Sequence, residues 1–385
     1  MPTSSRDLRL DFFRGLALIF IFIDHIPENV LGYFTIQAVQ LFDAAEVFIF
    51  ISGYTAALVY GGILASQGPL YATARIFGRA WQLYVAHVFL FVLFVAEVSY
   101  TVATFNNPMY NDEMGVGDFL QQPHVAIIKA LLLQFQPTFL AILPLYIILL
   151  VVFPPLLLGL RRQPLLVLIP SCLLYIFVQI TNLSVPAYPE GQVWFFNPLA
   201  WQFLFIVGAA LGLPDSSAWR SRQWQRSMLP PALIVVAAGF VIKFTWMLHG
   251  IWDPFPAILL KELWPISKSS LSPVRLVSFF AMVVIVAVLI PSGATFLRSR
   301  AARPVVLCGQ QSLEIFCLGI LLSALGHFAL SEYDSAIVIQ LAVNLVGILM
   351  MCLTAGMINW YKTKGRAAPP RTASAKSSAI NLTER

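Results

Sequence analysis

The sequence predicts an all-α fold: a polytopic transmembrane helical bundle of about ten helices with both termini in the cytoplasm. Three observations predict it. The 385 residues are 59% hydrophobic and only 11% charged, with a mean hydropathy of +0.80, whereas soluble domains carry about a quarter charged residues. The apolar residues gather in runs of about 18 to 25, each long enough to cross a hydrocarbon core about 30 Å thick. The runs are continuous rather than alternating, which argues against barrel strands and for helices that bond their own backbone.

The spans fall at approximately 8–26, 38–62, 82–104, 138–160, 164–182, 197–213, 230–249, 274–291, 307–328 and 335–360. The first follows a basic start, as a signal peptide does. Arg14 lies inside it and no small-residue cleavage site follows, so it reads as an uncleaved helix. With the N-terminus inside, 19 of the 24 Lys and Arg residues fall on inner segments: before and within the first span, at Arg75 and Arg79, at Arg161 and Arg162, at 220–226, at 298–303, and in the tail. This is the positive-inside pattern in one consistent orientation. The net charge of +6 is therefore topological, and no nucleic-acid module or phosphate loop accompanies it. Residues 1–361 form the transmembrane unit, and 362–385 read as a disordered basic cytoplasmic tail. Cys172, Cys308, Cys317 and Cys352 lie inside apolar runs without metal-ligand spacing and read as small buried residues.

An ionisable side chain inside a bilayer is a functional hypothesis by default. The first span is richest. Arg14 and His25 are eleven residues apart, which at 100° per residue puts them within about 20° of one helix face and about 16 Å apart along the axis. Pro27 ends the helix just beyond. In the second span Glu46 lies at a depth similar to His25. Either Asp24 or Glu46 can orient the imidazole and stabilise its charged form, and the residues do not choose between them. Arg75 and Arg79, at i,i+4 spacing, suit a phosphate-rich ligand. The long outer loop 105–137 holds a short re-entrant or interfacial helix within 124–135. The outer loops 183–197 and 250–273 are aromatic, and Trp194 and Trp252 there are candidate sugar platforms. Lys243 and Arg275, on the outer half, are candidate anion ligands. No internal repeat is evident, which disfavours the two-fold halves of many transporters. A proton-coupled transporter or flippase for a glycan or organic anion stays the second reading.

Taken together, Arg14 with His25, Phe48-Ile-Phe-Ile-Ser-Gly53 and the arginine pair resemble the acyltransferase-3 superfamily. Within it, Arg9-Leu-Asp-Phe-Phe-Arg-Gly15, Asp24-His25-Ile-Pro27, Phe196-Asn-Pro-Leu-Ala-Trp-Gln202 and Gly309-Gln-Gln-Ser-Leu-Glu314 resemble the OpgC branch. The resemblance implies succinyl transfer to osmoregulated periplasmic glucans at a bacterial inner membrane. It implies a cytoplasmic acyl-CoA donor, most simply succinyl-CoA, and no bound cofactor or metal. His25 would be the catalytic base and Arg14 its donor-side support, with Arg75 and Arg79 on the CoA phosphates. The Arg-x3-Arg spacing departs from the tighter Arg-x2-Arg of the superfamily.

Overall fold

Each span read from the sequence overlies an α-helix. The computed structural model describes residues 7–214, 221–248, 251 and 266–366. Among them the long helices are α1 (Leu8–Asp24), α2 (Ala44–Gln67), α3 (Pro69–Phe105), α4 (Ile142–Arg162), α5 (Leu165–Thr181) and α6 (Pro198–Gly212). They continue with α7 (Arg222–Met247), α8 (Pro273–Leu289), α9 (Arg303–Gln310), α10 (Ser312–Glu332) and α11 (Ile337–Arg366). Six of these, α2, α3, α4, α7, α10 and α11, are long and apolar enough to cross a membrane, and α5, α6 and α8 are shorter apolar helices. No strand occurs among the described residues, only single bridges such as Phe135 to Tyr188. The chain is an all-helical, multi-pass membrane protein.

The boundaries differ from the sequence reading in several places, three of them informative. The helix of the third span starts at Pro69 rather than near 82. Gly68, at φ 84°, makes the whole turn from α2 in one residue, and Pro69 opens the next helix with a preset φ. The added turns are amphipathic, burying Ala72, Ile76, Ala80 and Leu83 on one stripe, so a search for uniformly apolar runs passes over them. The ninth span is two helices, broken at Gln311. Helix α11 runs on to Arg366, beyond the boundary placed at 361. The tail reading for 367–385 lies outside the described residues. In the outer loop, Pro123–Leu131 is helical, close to the segment expected there.

Small residues set the closest crossings, as they do where helices meet in lipid. A Cβ on Gly15 of α1 would run into the Val305 carbonyl of α9, and one on Gly309 into the Asp11 carbonyl. Helix α6 lies along α2 with Gly208 against the Phe50 carbonyl and Gly212 against that of Tyr54. The two helices therefore run in the same sense, as two even-numbered spans of the charge alternation do. Around these seams Phe22, Phe42, Phe94, Phe153, Trp201 and Phe205 are fully buried. The exposed apolar residues stripe the outside of α3 (Trp81, Val85, Phe89, Val92) and α11 (Val338, Leu341, Leu345), a surface suited to hydrocarbon. Helices α1 and α2 run side by side in opposite senses, because Arg14 near the start of α1 meets Thr55 deep in α2. The bundle thus has an Arg14 end and a His25 end.

Candidate functional site

At the Arg14 end a cavity of about 2340 Å³ opens between α1, α2, α4, α8 and their neighbours. Seven arginines line it (Arg9, Arg14, Arg79, Arg161, Arg162, Arg226 and Arg298), against two acids, Asp7 and Asp11. Arg14 is held inside the bundle: its Nη2 donates to Thr55 Oγ1 at 2.7 Å and to the Ile51 carbonyl at 3.2 Å. Thr55 in turn donates to Ile51 O at 2.8 Å, so a hydroxyl and a carbonyl on α2 receive the guanidinium together. Arg161, at the end of α4, donates to the Gly61 carbonyl at 3.2 Å. Arg9 is tied to Asp7 at 2.7 Å and to Ile290 O at 3.0 Å. Tyr54, Tyr60, Tyr146 and Trp224 supply aromatic faces to the same space. Of the two arginines singled out on α3, Arg79 lines the cavity and Arg75, one turn earlier, is exposed outside it. The lining of such a cavity is chemically suited to a polyanion with an apolar part.

At the opposite end the first residues of α2 build a buried charge network. Asp43 is the N-cap of α2, and Glu46 closes a capping box with it. Asp43 accepts from Ala45 N at 2.8 Å, and Glu46 Oε2 accepts from Asp43 N at 3.0 Å. Arg275, in the first turn of α8, bridges both acids, at 2.6 Å to Glu46 Oε1 and 3.0 Å to Asp43 Oδ2. Lys268 donates to Asp43 from the loop before α8 at 2.7 Å. Glu46 has no exposed surface, and Arg275 is 8% exposed.

His25 caps α1 beside this network. Its N–H donates to the Ile21 carbonyl at 3.1 Å. Its ring lies 4.3 Å from that of Phe139, whose backbone sits at φ 74°, rare for an aromatic residue. Its Nδ1 is buried without a hydrogen-bond partner among the described residues. The ionised groups that act on it electrostatically are Lys268 and Asp43. Of the acids expected to serve it, Glu46 is bound on both oxygens by other groups. Asp24 faces Thr35 and Gln37, with Oδ1 buried and unpartnered among the described residues. The cavity of the Arg14 end follows α1 as far as Phe20. His25 is five residues further, about 7.5 Å along the axis.

The other sequence candidates separate. Arg275 is consumed by Glu46 and Asp43, so it is part of the frame rather than an open anion ligand. Lys243 stands over the Trp246 ring at 5.4 Å and senses Arg275, Asp43 and Asp24. Trp194 is 4% exposed and packs in the core, so it offers no outward platform; Phe195 beside it is 50% exposed. Trp252 lies outside the described residues. Asp43 and Lys268 are site residues that sequence reasoning misses. The Asp-x-x-Glu spacing ahead of an apolar run signals a capping box and was available for Asp43. Nothing local marks Lys268.

Several of the quoted motifs serve these two ends. Gly15 and Gly309 make the crossing that seats α1, and Gln310 Nε2 donates to Asp11 at 3.3 Å. Asn197 caps α6 through Leu199 N at 3.2 Å, and Trp201 Nε1 reaches the loop that carries Lys268. A search among curated proteins returns no match. A family model described as OpgC protein matches residues 6–363, nearly the whole chain and all of the bundle. The chain belongs to the OpgC protein family.

Proposed function

We propose that this protein is a membrane-embedded O-acyltransferase of a bacterial inner membrane, moving an acyl group, succinyl by preference, from acyl-CoA to a hydroxyl of a periplasmic glucan. OpgC membership supports a transferase role. The observation that carries the reading is the arginine-lined cavity that begins at the Arg14 end and follows α1 toward His25. The concentration of arginines at that end favours placing it, with both termini, in the cytoplasm. CoA carries several phosphate charges and does not cross lipid unaided, and guanidinium groups bind phosphate well. A cavity of this length admits the phosphates at its mouth and an acyl-pantetheine arm along α1. The acyl group alone then passes between the two sides.

The chemistry balances without a covalent enzyme intermediate. His25 takes the proton of the sugar hydroxyl as its oxygen bonds to the thioester carbonyl carbon. The C–S bond breaks, and the departing CoA thiolate receives the proton from the imidazolium. A positioned base of this kind contributes about 10²–10⁴-fold in rate. The Phe139 ring fixes the plane of the imidazole, and Arg14, tied to Thr55, fixes the donor side. The test is purified protein in lipid nanodiscs with succinyl-CoA and periplasmic glucan. Wild type transfers the label, and His25→Ala, equally folded, loses at least a hundredfold in rate. Near-wild-type transfer by His25→Ala rejects the mechanism.

A further inference from the structure

The geometry points to Lys268 as the ligand of the free carboxylate of a dicarboxylic acyl group, and so as the residue that selects such groups over neutral ones. This inference rests on the acyltransferase reading above. Its basis is a loop built with unusual care. Trp201 Nε1 donates to the carbonyls of Lys268 and Ser269, each at 3.1 Å, and Asn197 N to Ser269 O at 3.1 Å. Gln179 Nε2 donates to Ser270 O at 2.6 Å, and the Tyr175 hydroxyl to Leu271 O at 2.7 Å. Four consecutive carbonyls are thus held by α5 and α6. Leu271 is kept at φ 51°, a region branched residues avoid. A loop of ordinary surface charge needs no such clamp.

The clamp fixes one ammonium group. Lys268 Nζ lies 2.7 Å from Asp43 and 5.9 and 5.6 Å from the ring centres of Phe195 and Phe196. Its side chain keeps about a third of its surface exposed, against a tenth for Arg275. Asp43 takes one of its three N–H bonds and is also served by Ala45 N and Arg275. Among the described residues Lys268 is therefore the more exposed cation of this network, with two N–H bonds beyond the one that Asp43 takes.

Direction supplies the ligand class. A thioester is tethered at its CoA end, so its acyl tail leads away from the arginine cavity. The cavity touches α8 only from Phe279 onward, and Lys268 precedes the first turn of that helix. With the carbonyl at His25, the free carboxylate of a four-carbon diacid is directed toward Lys268, whose ammonium lies by the exposed Phe195 ring. A neutral acetyl group has nothing to offer there.

The experiment compares succinyl-CoA and acetyl-CoA as donors to the same glucan. In Lys268→Met, kcat/KM for succinyl-CoA should fall at least tenfold further than that for acetyl-CoA, with the difference mainly in KM. Lys268→Arg should restore part of the preference. Lys268→Gln, which keeps a donor for Asp43, should show the same shift and guards against a folding loss. Equal losses with both donors make Lys268 a structural or rate-determining group and overturn the inference, as does an unchanged ratio. Wild type that transfers neither group overturns the acyltransferase reading, and this one with it.

Discussion

Replacing Arg275 by Met tests whether the charge network at the His25 end holds the bundle together. Glu46 has no exposed surface, and each of its oxygens has one partner: Arg275 at 2.6 Å and the Asp43 N–H at 3.0 Å. Arg275→Met leaves a buried carboxylate with a single backbone donor. Removing one member of a buried pair costs about 3–5 kcal/mol. Asp43 adds little to this, because Lys268 and Ala45 N still serve it. The expected loss is therefore about 3–5 kcal/mol, or about a hundred- to several-thousandfold in the unfolding equilibrium. The double variant Arg275→Met with Glu46→Gln removes both charges and should recover most of it. Reversible unfolding in mixed micelles measures wild type, both single variants and the double variant. If Arg275→Met lies within about 1 kcal/mol of wild type, or the double variant shows the plain sum of its singles, the network is not what joins α2 to α8.

Other outcomes follow from the same geometry. Arg79→Ala should weaken acyl-CoA binding about tenfold by calorimetry, about the 1.4 kcal/mol of one charge-assisted bond. Arg75→Ala should change it less than twofold, and unchanged binding in both variants would return both to topology charges. Gly309→Val forces a side chain into the Asp11 carbonyl, so it should lower the melting temperature sharply. Gly356→Ala, with open space at its Cβ, is the matched control; a Gly309→Val protein that melts with it would refute the crossing.

The bundle was legible in the sequence because lipid imposes a single rule, continuous apolar length, and because arginine placement repeats that rule independently. It failed where a helix is amphipathic, as in the first turns of α3, and where a break lies inside one apolar run, as at Gln311. The site was legible in halves. Arg14, His25 and Arg79 stand out locally, by depth or by helical spacing. Their surroundings do not, because partners meet across the chain: Arg275 and Asp43 are 232 residues apart. Arg275 read as an open cation for the same reason, since a sequence displays a charge and hides its partner. Trp194 shows the complementary error. An aromatic residue in an outer loop suggests a surface, yet its neighbours fold over it.

The two ends of α1 handle charge in opposite ways, and this contrast bears on how one helix can serve two substrates. The Arg14 end leaves seven arginines facing two aspartates around a wide cavity. Such an excess repels itself until an anion arrives, which favours binding a phosphate-rich donor and makes that binding sensitive to salt. The His25 end instead closes Asp43 and Glu46 against cations at 2.6 to 3.0 Å. A balanced, preorganised network presents fixed dipoles to a neutral, hydroxyl-rich acceptor and needs no rearrangement as charge develops. The order of charges along α1, excess first and balance second, is therefore the directional element of the proposed transfer. Arg14 sits where the one gives way to the other: it lines the cavity with its guanidinium anchored on Thr55 and Ile51, on the helix face that carries His25 further along.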